Sequence, residues 1–351
     1  ALWLGRGEGS EGGAEVKAEC VKVADSLYQY GLLCVRDPRA TEADNDTFLN
    51  MLEKYFEQPD EVKMGDVRKE LHYQVGVTPS FTELPRDHCE RMRAYKALDK
   101  PLSLCPPEKD PKMRFFWRMG DRPTDTDFPE LNAAPVVPAD IPEWGDVMNT
   151  WGGKLLDAVR NVAEMAAVGF DMPADTFASR MVRAPHLLAP TASDFNKFGA
   201  KGTVLAGYHY DLNALTIHGR SRFPGLYVWT RAGEKRAVKI PAGCLLVQAG
   251  KQLEHMTGGH VLAGFHEVVV NDATRAAIER ATAEHRSLWR ISSTLFAHFA
   301  SDVTLEPLGR FAATPGADKY APIKAGAHVA AELAAINLAA TAAGGEAVAA
   351  M

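Results

Sequence analysis

The second half of the chain constrains the fold most. From about His186, short β-like runs follow one another, separated by Gly, Pro or polar turns. They are Leu187–Leu188, Thr203–Tyr208, Leu212–Ile217, Leu226–Trp229, Ala237–Ile240, Leu245–Gln248, Val268–Val270 and Leu288–Phe299. Many short strands at this spacing point to a β-sandwich or barrel. The first half has a different texture. Val16, Cys20, Val23 and Leu27 fall at helical spacing between about Glu15 and Tyr30, Gly31 stops that helix, and Leu32 to Val35 reads as a short buried strand. Phe48, Leu52 and Tyr55 or Phe56 repeat in the same way over Asp44 to Phe56. A long helix is expected from Glu143 to Val168, with Trp151, Val159 and Val162 inward and Gly169 as its cap, and a short one follows from Met172-Pro173 to Met181.

The remaining segments carry weaker signals. Residues 65–142 read as irregular, and the Phe115-Phe116-Trp117 cluster within them is expected to pack in the core more than to line a site mouth with Arg114 and Arg118. Residues 1–13, rich in Gly and Glu, read as a disordered start. The Ala-rich tail from Ala325 carries Val329, Leu333 and Ile336 or Leu338 at helical spacing, and its end around Gly344-Gly345 is expected to fray. At 351 residues the chain allows either two units or one large one. Its net charge of −6 argues against a protein built to grip nucleic acid. There is neither a run of roughly 18 apolar residues nor a charged-then-apolar leader, so no membrane span and no signal peptide are expected. Cys20, Cys34, Cys89, Cys105 and Cys244 are odd in number, scattered, and form no CxxC. That predicts neither a disulfide framework nor a thiolate metal site, and a reducing, cytoplasmic setting.

Most of the eleven histidines are expected to be ordinary partly buried side chains. Two stand apart. His209-Tyr210-Asp211 puts an imidazole and a carboxylate at i and i+2, which a regular strand presents on one face. His266 heads a second β-like run far downstream. Two His and one carboxylate form the facial triad typical of non-haem Fe(II) oxygenases, which leaves the opposite face of the metal open. Beyond His266, Arg290-Ile291-Ser292 repeats the i, i+2 pattern with a planar cation and a hydroxyl. Arg binds a carboxylate through two parallel N–H groups, and a buried guanidinium needs such a partner. His255, eleven residues before His266, competes for the third ligand position. His218, seven residues past Asp211, is expected to face away from it.

These residues bring the sequence to a family. H-x-D, a distant His and R-x-S resemble the Fe(II)/2-oxoglutarate-dependent dioxygenase superfamily, and within it the isopenicillin N synthase-like branch. Tyr55-Phe56-Glu57-Gln58-Pro59-Asp60-Glu61-Val62-Lys63-Met64 is similar to that branch's "FF-x-LP-x-E-x-K" segment. Leu215-Thr216-Ile217, Gly225-Leu226-Tyr227-Val228, Ile240-Pro241-Ala242-Gly243 and Gly250-Lys251-Gln252-Leu253-Glu254 match its core in order. The resemblance implies an α+β fold, a double-stranded β-helix (jelly roll) core with flanking α-helices. Its parts would be an N-terminal helical and irregular region over 14–180, the jelly-roll core over 181–310 and a helical tail over 311–351, together one structural unit.

The resemblance also implies roles. His209, Asp211 and His266 would hold Fe(II), Arg290 and Ser292 would hold the distal carboxylate of 2-oxoglutarate, and O2 would be the second cosubstrate. No further catalytic acid or base is required. The implied protein is a monomeric, cytoplasmic oxidoreductase that hydroxylates, desaturates or cyclises a small molecule with release of succinate and CO2. An Fe(II) oxidase of the isopenicillin N synthase type, which does not use 2-oxoglutarate, is the alternative. Two departures stand out. The branch's "N-Y-Y-P" tyrosine is absent, Leu187-Leu188-Ala189-Pro190-Thr191 being the nearest text, and Glu267 follows His266 where relatives usually carry Arg.

Overall fold

The computed structural model describes residues 10–338. The expected disorder of residues 1–9 and the fraying around Gly344-Gly345 lie outside the described residues. Residues 10–13, also expected to be disordered, open the first helix, Ser10–Tyr30. In chain order the strands that matter are β1 (Leu32–Val35), β2 (Gly76–Thr78), β3 (Met113–Met119), β4 (His186–Leu188), β5 (Thr191–Asp194), β6 (Val204–His209) and β7 (Leu215–His218). They continue with β8 (Leu226–Trp229), β9 (Lys235–Ala237), β10 (Leu245–Ala249), β11 (His266–Val269), β12 (Trp289–Ile291) and β13 (Thr294–Ala297). One sheet runs β1-β10-β7-β13-β4-β3-β5-β12, with β2 beside β3, and a smaller one runs β6-β11-β8-β9. All of these pairings are antiparallel.

Helices cover the outer side of the larger sheet. Glu42–Phe56 starts at a capping box in which the Thr41 side chain accepts from the Asp44 N–H and the Asp44 carboxylate accepts from the Thr41 N–H. It buries Phe48, Leu49, Leu52, Tyr55 and Phe56. Trp144–Gly169 buries Met148, Trp151, Leu155, Val159, Val162 and Ala166, the three-and-four spacing of one helix face. Its last residue is not there as a cap. A Cβ on Gly169 would sit 2.1 Å from the Cys20 carbonyl oxygen, so glycine is what lets this helix cross the Ser10–Tyr30 helix at contact distance.

Four expectations are corrected. Residues 65–142 are not wholly irregular: β3 lies inside the larger sheet with all seven residues buried. Strand alternation sends Phe115 and Trp117 to the helical side, where Phe115 meets Trp144 edge-on at 4.6 Å and the Trp117 indole donates to Asn149. A helix, Asp272–Ala283, separates β11 from β12, and β5 is an additional strand. Cys89 and Cys105 are joined by a disulfide, against the expectation from their sequence spacing. No helix among the described residues is long and apolar enough to cross a membrane.

Candidate metal centre

The smaller sheet brings His209 and His266 together. His209 ends β6, His266 begins β11, and the two are register partners with ring centroids 4.2 Å apart. Asp211 lies two residues past the end of β6, so strand alternation does not orient it. The N-terminus of the Lys251–Met256 helix does. The Lys251 N–H donates to the Asp211 carbonyl and the Gln252 N–H to that of Asn213. A Cβ on Gly250 would stand 2.1 Å from the Asn213 oxygen, so glycine permits the approach. Thr216 then donates its hydroxyl to Asp211 Oδ2 at 2.6 Å, which leaves Oδ1 turned to the histidines. His209 Nε2 and His266 Nε2 lie 3.9 and 3.8 Å from it.

The hydrogen bonds select one tautomer. Nδ1–H of His209 donates to the Gly207 carbonyl at 2.5 Å, and Nδ1–H of His266 to that of Gly264 at 3.1 Å. Both Nε2 lone pairs are therefore directed at the shared centre. Burial holds the His209 pKa well below the usual imidazole range, with the neighbouring His266 and Lys112 adding to the effect. One ligand atom from each of His209, Asp211 and His266 falls within a 4.8 Å span. Two neutral imidazoles and one carboxylate suit a first-row divalent ion with open positions. The competing His255 is elsewhere, its Nε2 bonded to the Ala321 carbonyl.

A cavity beside this centre is walled by Arg290 and Ser292 together with His209, Asp211, His266 and Thr191. Arg290 comes from β12 and Ser292 follows that strand. The Arg290 side chain is 7% exposed, its Nε has no hydrogen-bond partner, and no carboxylate among the described residues pairs with it. Burial alone pushes its pKa down to about 10. A buried guanidinium left unpaired in this way fits an anionic ligand. Ser292 Oγ accepts the Thr191 N–H at 3.0 Å, which leaves its own proton to donate. Thr191 and Ser193, both from β5, wall this cavity, and Thr191 ends the stretch where the branch tyrosine is missing. His218 lines the same cavity, contrary to expectation, because it ends β7 whereas Asp211 belongs to no strand, so no alternation relates the two. Its ring bonds to Thr294 Oγ1 and Gln248 Oε1, and burial lowers its pKa to about 4.

A second cavity opens on the other side of His209 and Asp211. Arg114 and Phe116 reach it from β3, so two of the five residues weighed as a mouth do line one. Arg118 is buried with its guanidinium on Asn132 Oδ1 and the Asp121 carbonyl. The C-terminal helix Ala325–Ala335 closes the far side through Glu332, which pairs with Arg86 at 2.6 Å. His298, from the histidines that the sequence does not set apart, also lines this cavity.

Glu267, the unexplained departure, faces away from the metal centre. It is fully buried, pairs with Lys235 at 2.7 Å and accepts from the Leu102 and Ser103 N–H groups and the Ser103 hydroxyl. Ser103 Oγ in turn accepts the Tyr208 N–H at 2.7 Å. One carboxylate thus pins the 100–104 loop against the two strands that carry the histidines.

Residues 183–299 match the family model described as the 2OG-Fe(II) oxygenase superfamily. No match to a curated protein was found. Among solved structures, the chain resembles a 2OG-Fe(II) oxygenase family protein from Caulobacter crescentus at 22% identity and a TM-score of 0.70, over 92% of this chain and 95% of that one. It also resembles a full-length Neurospora crassa protein solved in complex with alpha-KG and thymine, at 19% identity and 0.69 over 91% of each chain. A dioxygenase for auxin oxidation in rice aligns at 17% identity and 0.62, over 94% of this chain and 92% of that one. At such identities the likeness is one of fold.

Proposed function

We propose that this chain, whose residues 183–299 match the 2OG-Fe(II) oxygenase superfamily model and whose fold resembles that of such proteins, is an Fe(II)- and 2-oxoglutarate-dependent dioxygenase that oxidises a small organic molecule with release of succinate and CO2. In this reading His209, Asp211 and His266 hold the iron, and Arg290 and Ser292 hold the distal carboxylate of 2-oxoglutarate. The observation that carries it is the pairing of an open three-ligand centre with an unpaired buried Arg290 in the adjoining cavity. A bound iron and 2-oxo acid supply the oxidising chemistry, in which O2 is reduced as the acid loses CO2.

The chain's own residues do the rest. Gly207 and Gly264 carbonyls fix both imidazoles as Nε2 donors, and Thr216 keeps Asp211 from rotating. Arg290 sets the orientation of the cosubstrate through its planar fork, and Ser292 donates a hydroxyl proton to the same carboxylate. Phe116, Leu187 and Phe296 line the second cavity and exclude water from the substrate's side. A neighbour of this fold was solved with thymine bound. That supports a small-molecule substrate for this chain too.

The same architecture accommodates an oxidase in which Arg290 grips the substrate's carboxylate. The two readings part in a titration of the Fe(II)-loaded, oxygen-free protein with 2-oxoglutarate. The proposal expects saturable one-site binding that is lost in Arg290→Leu. An iron-loaded protein that ignores 2-oxoglutarate would decide for the oxidase.

A further inference from the structure

The two cavities beside the metal centre differ in charge. In the first, Arg290 has no anionic partner. In the second, every ionised side chain in the wall is matched. Arg114 pairs with Glu83, which also takes Lys112, and Lys112 is shared with Asp110. Those two cations and two anions balance. Arg86 pairs with Glu332, and Tyr210 bonds to both. Lys251, over the Tyr210 ring, pairs with Glu254. Asp211 is the remaining carboxylate, and it belongs to the metal centre. A carboxylate or phosphate entering this cavity would be desolvated with no free cation to meet it, and an ammonium would find no free anion.

Two groups in that wall have a buried nitrogen without a hydrogen-bond partner: Arg114, whose Nε is free although its guanidinium pairs with Glu83, and the uncharged His298. His298 is 4% exposed and lines the cavity. Its backbone N–H donates to His186 Nδ1, but neither ring nitrogen has a hydrogen-bond partner among the described residues, and Nδ1 is fully buried. Burial holds this imidazole neutral, so it carries one N–H donor and one acceptor. An unmade hydrogen bond on a buried group is costly, and a ligand that completes it is favoured. Around it stand Phe116, Phe296, Leu187 and Leu212, an apolar and partly aromatic lining.

We infer that the substrate is an electrically neutral, flat molecule with a polar edge, and that His298 reads this edge as a specificity-determining residue. This inference rests on the dioxygenase reading above but goes beyond it, since that reading is silent on substrate charge. The group recognised is a neutral N–H or C=O on that edge, which one nitrogen of a neutral imidazole can meet as acceptor or donor.

The test uses pairs of similar ring shape, one member neutral and one a carboxylate: benzamide against benzoate, and thymine against uracil-5-carboxylate. Each is titrated by calorimetry into the zinc-loaded, 2-oxoglutarate-bound protein, where no turnover occurs. The neutral member of each pair should bind at least tenfold more tightly than its carboxylate. His298→Ala should weaken the better neutral ligand by about tenfold while 2-oxoglutarate affinity holds, and His298→Asn, which keeps a donor and an acceptor, should recover part of the loss. Tighter binding of the carboxylates, or a His298→Ala protein that binds the neutral probe as the parent does, overturns the inference. Failure of the protein to bind 2-oxoglutarate at all would instead overturn the dioxygenase reading, so the two failures are told apart within one experiment.

Discussion

Removing Arg290 is expected to stabilise the protein while abolishing its cosubstrate site. The guanidinium is buried with no anion beside it, and burial alone lowers its pKa from 12.5 to about 10. A fold that depresses the pKa of a cation opposes its charge. The penalty is complete at neutral pH and fades only as pH rises through about 10. At about 1.4 kcal/mol per pKa unit, that penalty is on the order of 3 kcal/mol. Arg290→Met keeps most of the aliphatic stem and drops the charge, so after some loss of packing the ligand-free variant should gain about 1–3 kcal/mol.

Ligand should reverse the order. With 2-oxoglutarate at about a hundredfold above its dissociation constant, the Fe(II)-loaded parent should gain about 2.7 kcal/mol and the variant nothing. Denaturant unfolding, with chelator in one arm and Fe(II) plus 2-oxoglutarate under nitrogen in the other, reads both effects. A ligand-free Arg290→Met protein less stable than the parent would refute the reasoning, because Arg290 would then be a satisfied structural residue.

Other consequences are testable in the same preparations. Thr216→Val removes the hydroxyl that fixes Asp211 and should weaken metal binding by about 10–100-fold in a competitive chelator titration, with the fold intact. Glu267→Ala strands Lys235 and frees the 100–104 loop. It should cost about 3 kcal/mol of stability in urea, and unchanged stability would mean the carboxylate is dispensable. His266→Ala should abolish iron retention, measured by metal analysis, whereas His255→Ala should not; the opposite result would move the ligand assignment. His186 and His328 are held neutral by burial, with pKa values pushed down to about 3 and about 4. Because the unfolded chain takes up protons at these sites near pH 6.5 and the folded one does not, stability is full above that pH and declines as pH falls toward 4. The loss is about 2 kcal/mol per histidine at pH 5, and a flat melting temperature between pH 7 and 5 would contradict it.

What the sequence made legible was local or ordered along the chain. Helix faces such as that of Trp144–Gly169 follow from spacing, and the β-rich half follows from its punctuation. The i, i+2 reading pairs His209 with Asp211 correctly, but strand alternation is not the reason. Asp211 lies past the strand, and its position depends on the Lys251 and Gln252 amides some forty residues away. Relations of that kind have no local signature. The same is true of β3, whose Phe115 and Phe116 face opposite sides of a sheet that the segment's prolines conceal. Glu267 looked anomalous beside His266 because its partners, Lys235 and Ser103, come from elsewhere in the chain. His298 was passed over since a lone histidine is informative only once its unpartnered ring nitrogens and the cavity beside it are seen. Nor does sequence spacing reveal the Cys89–Cys105 pairing, which folding of the 85–111 segment creates.

The central claim is that an iron centre at His209, Asp211 and His266 works with a 2-oxo acid held by Arg290. Its most direct test is succinate formation from 2-oxoglutarate by the Fe(II)-loaded protein in air, without added substrate, beside Asp211→Ala and Arg290→Leu. The account predicts slow, iron-dependent succinate release by the parent and none by either variant. Iron bound at this centre with 2-oxoglutarate left unbound and unconsumed would contradict it.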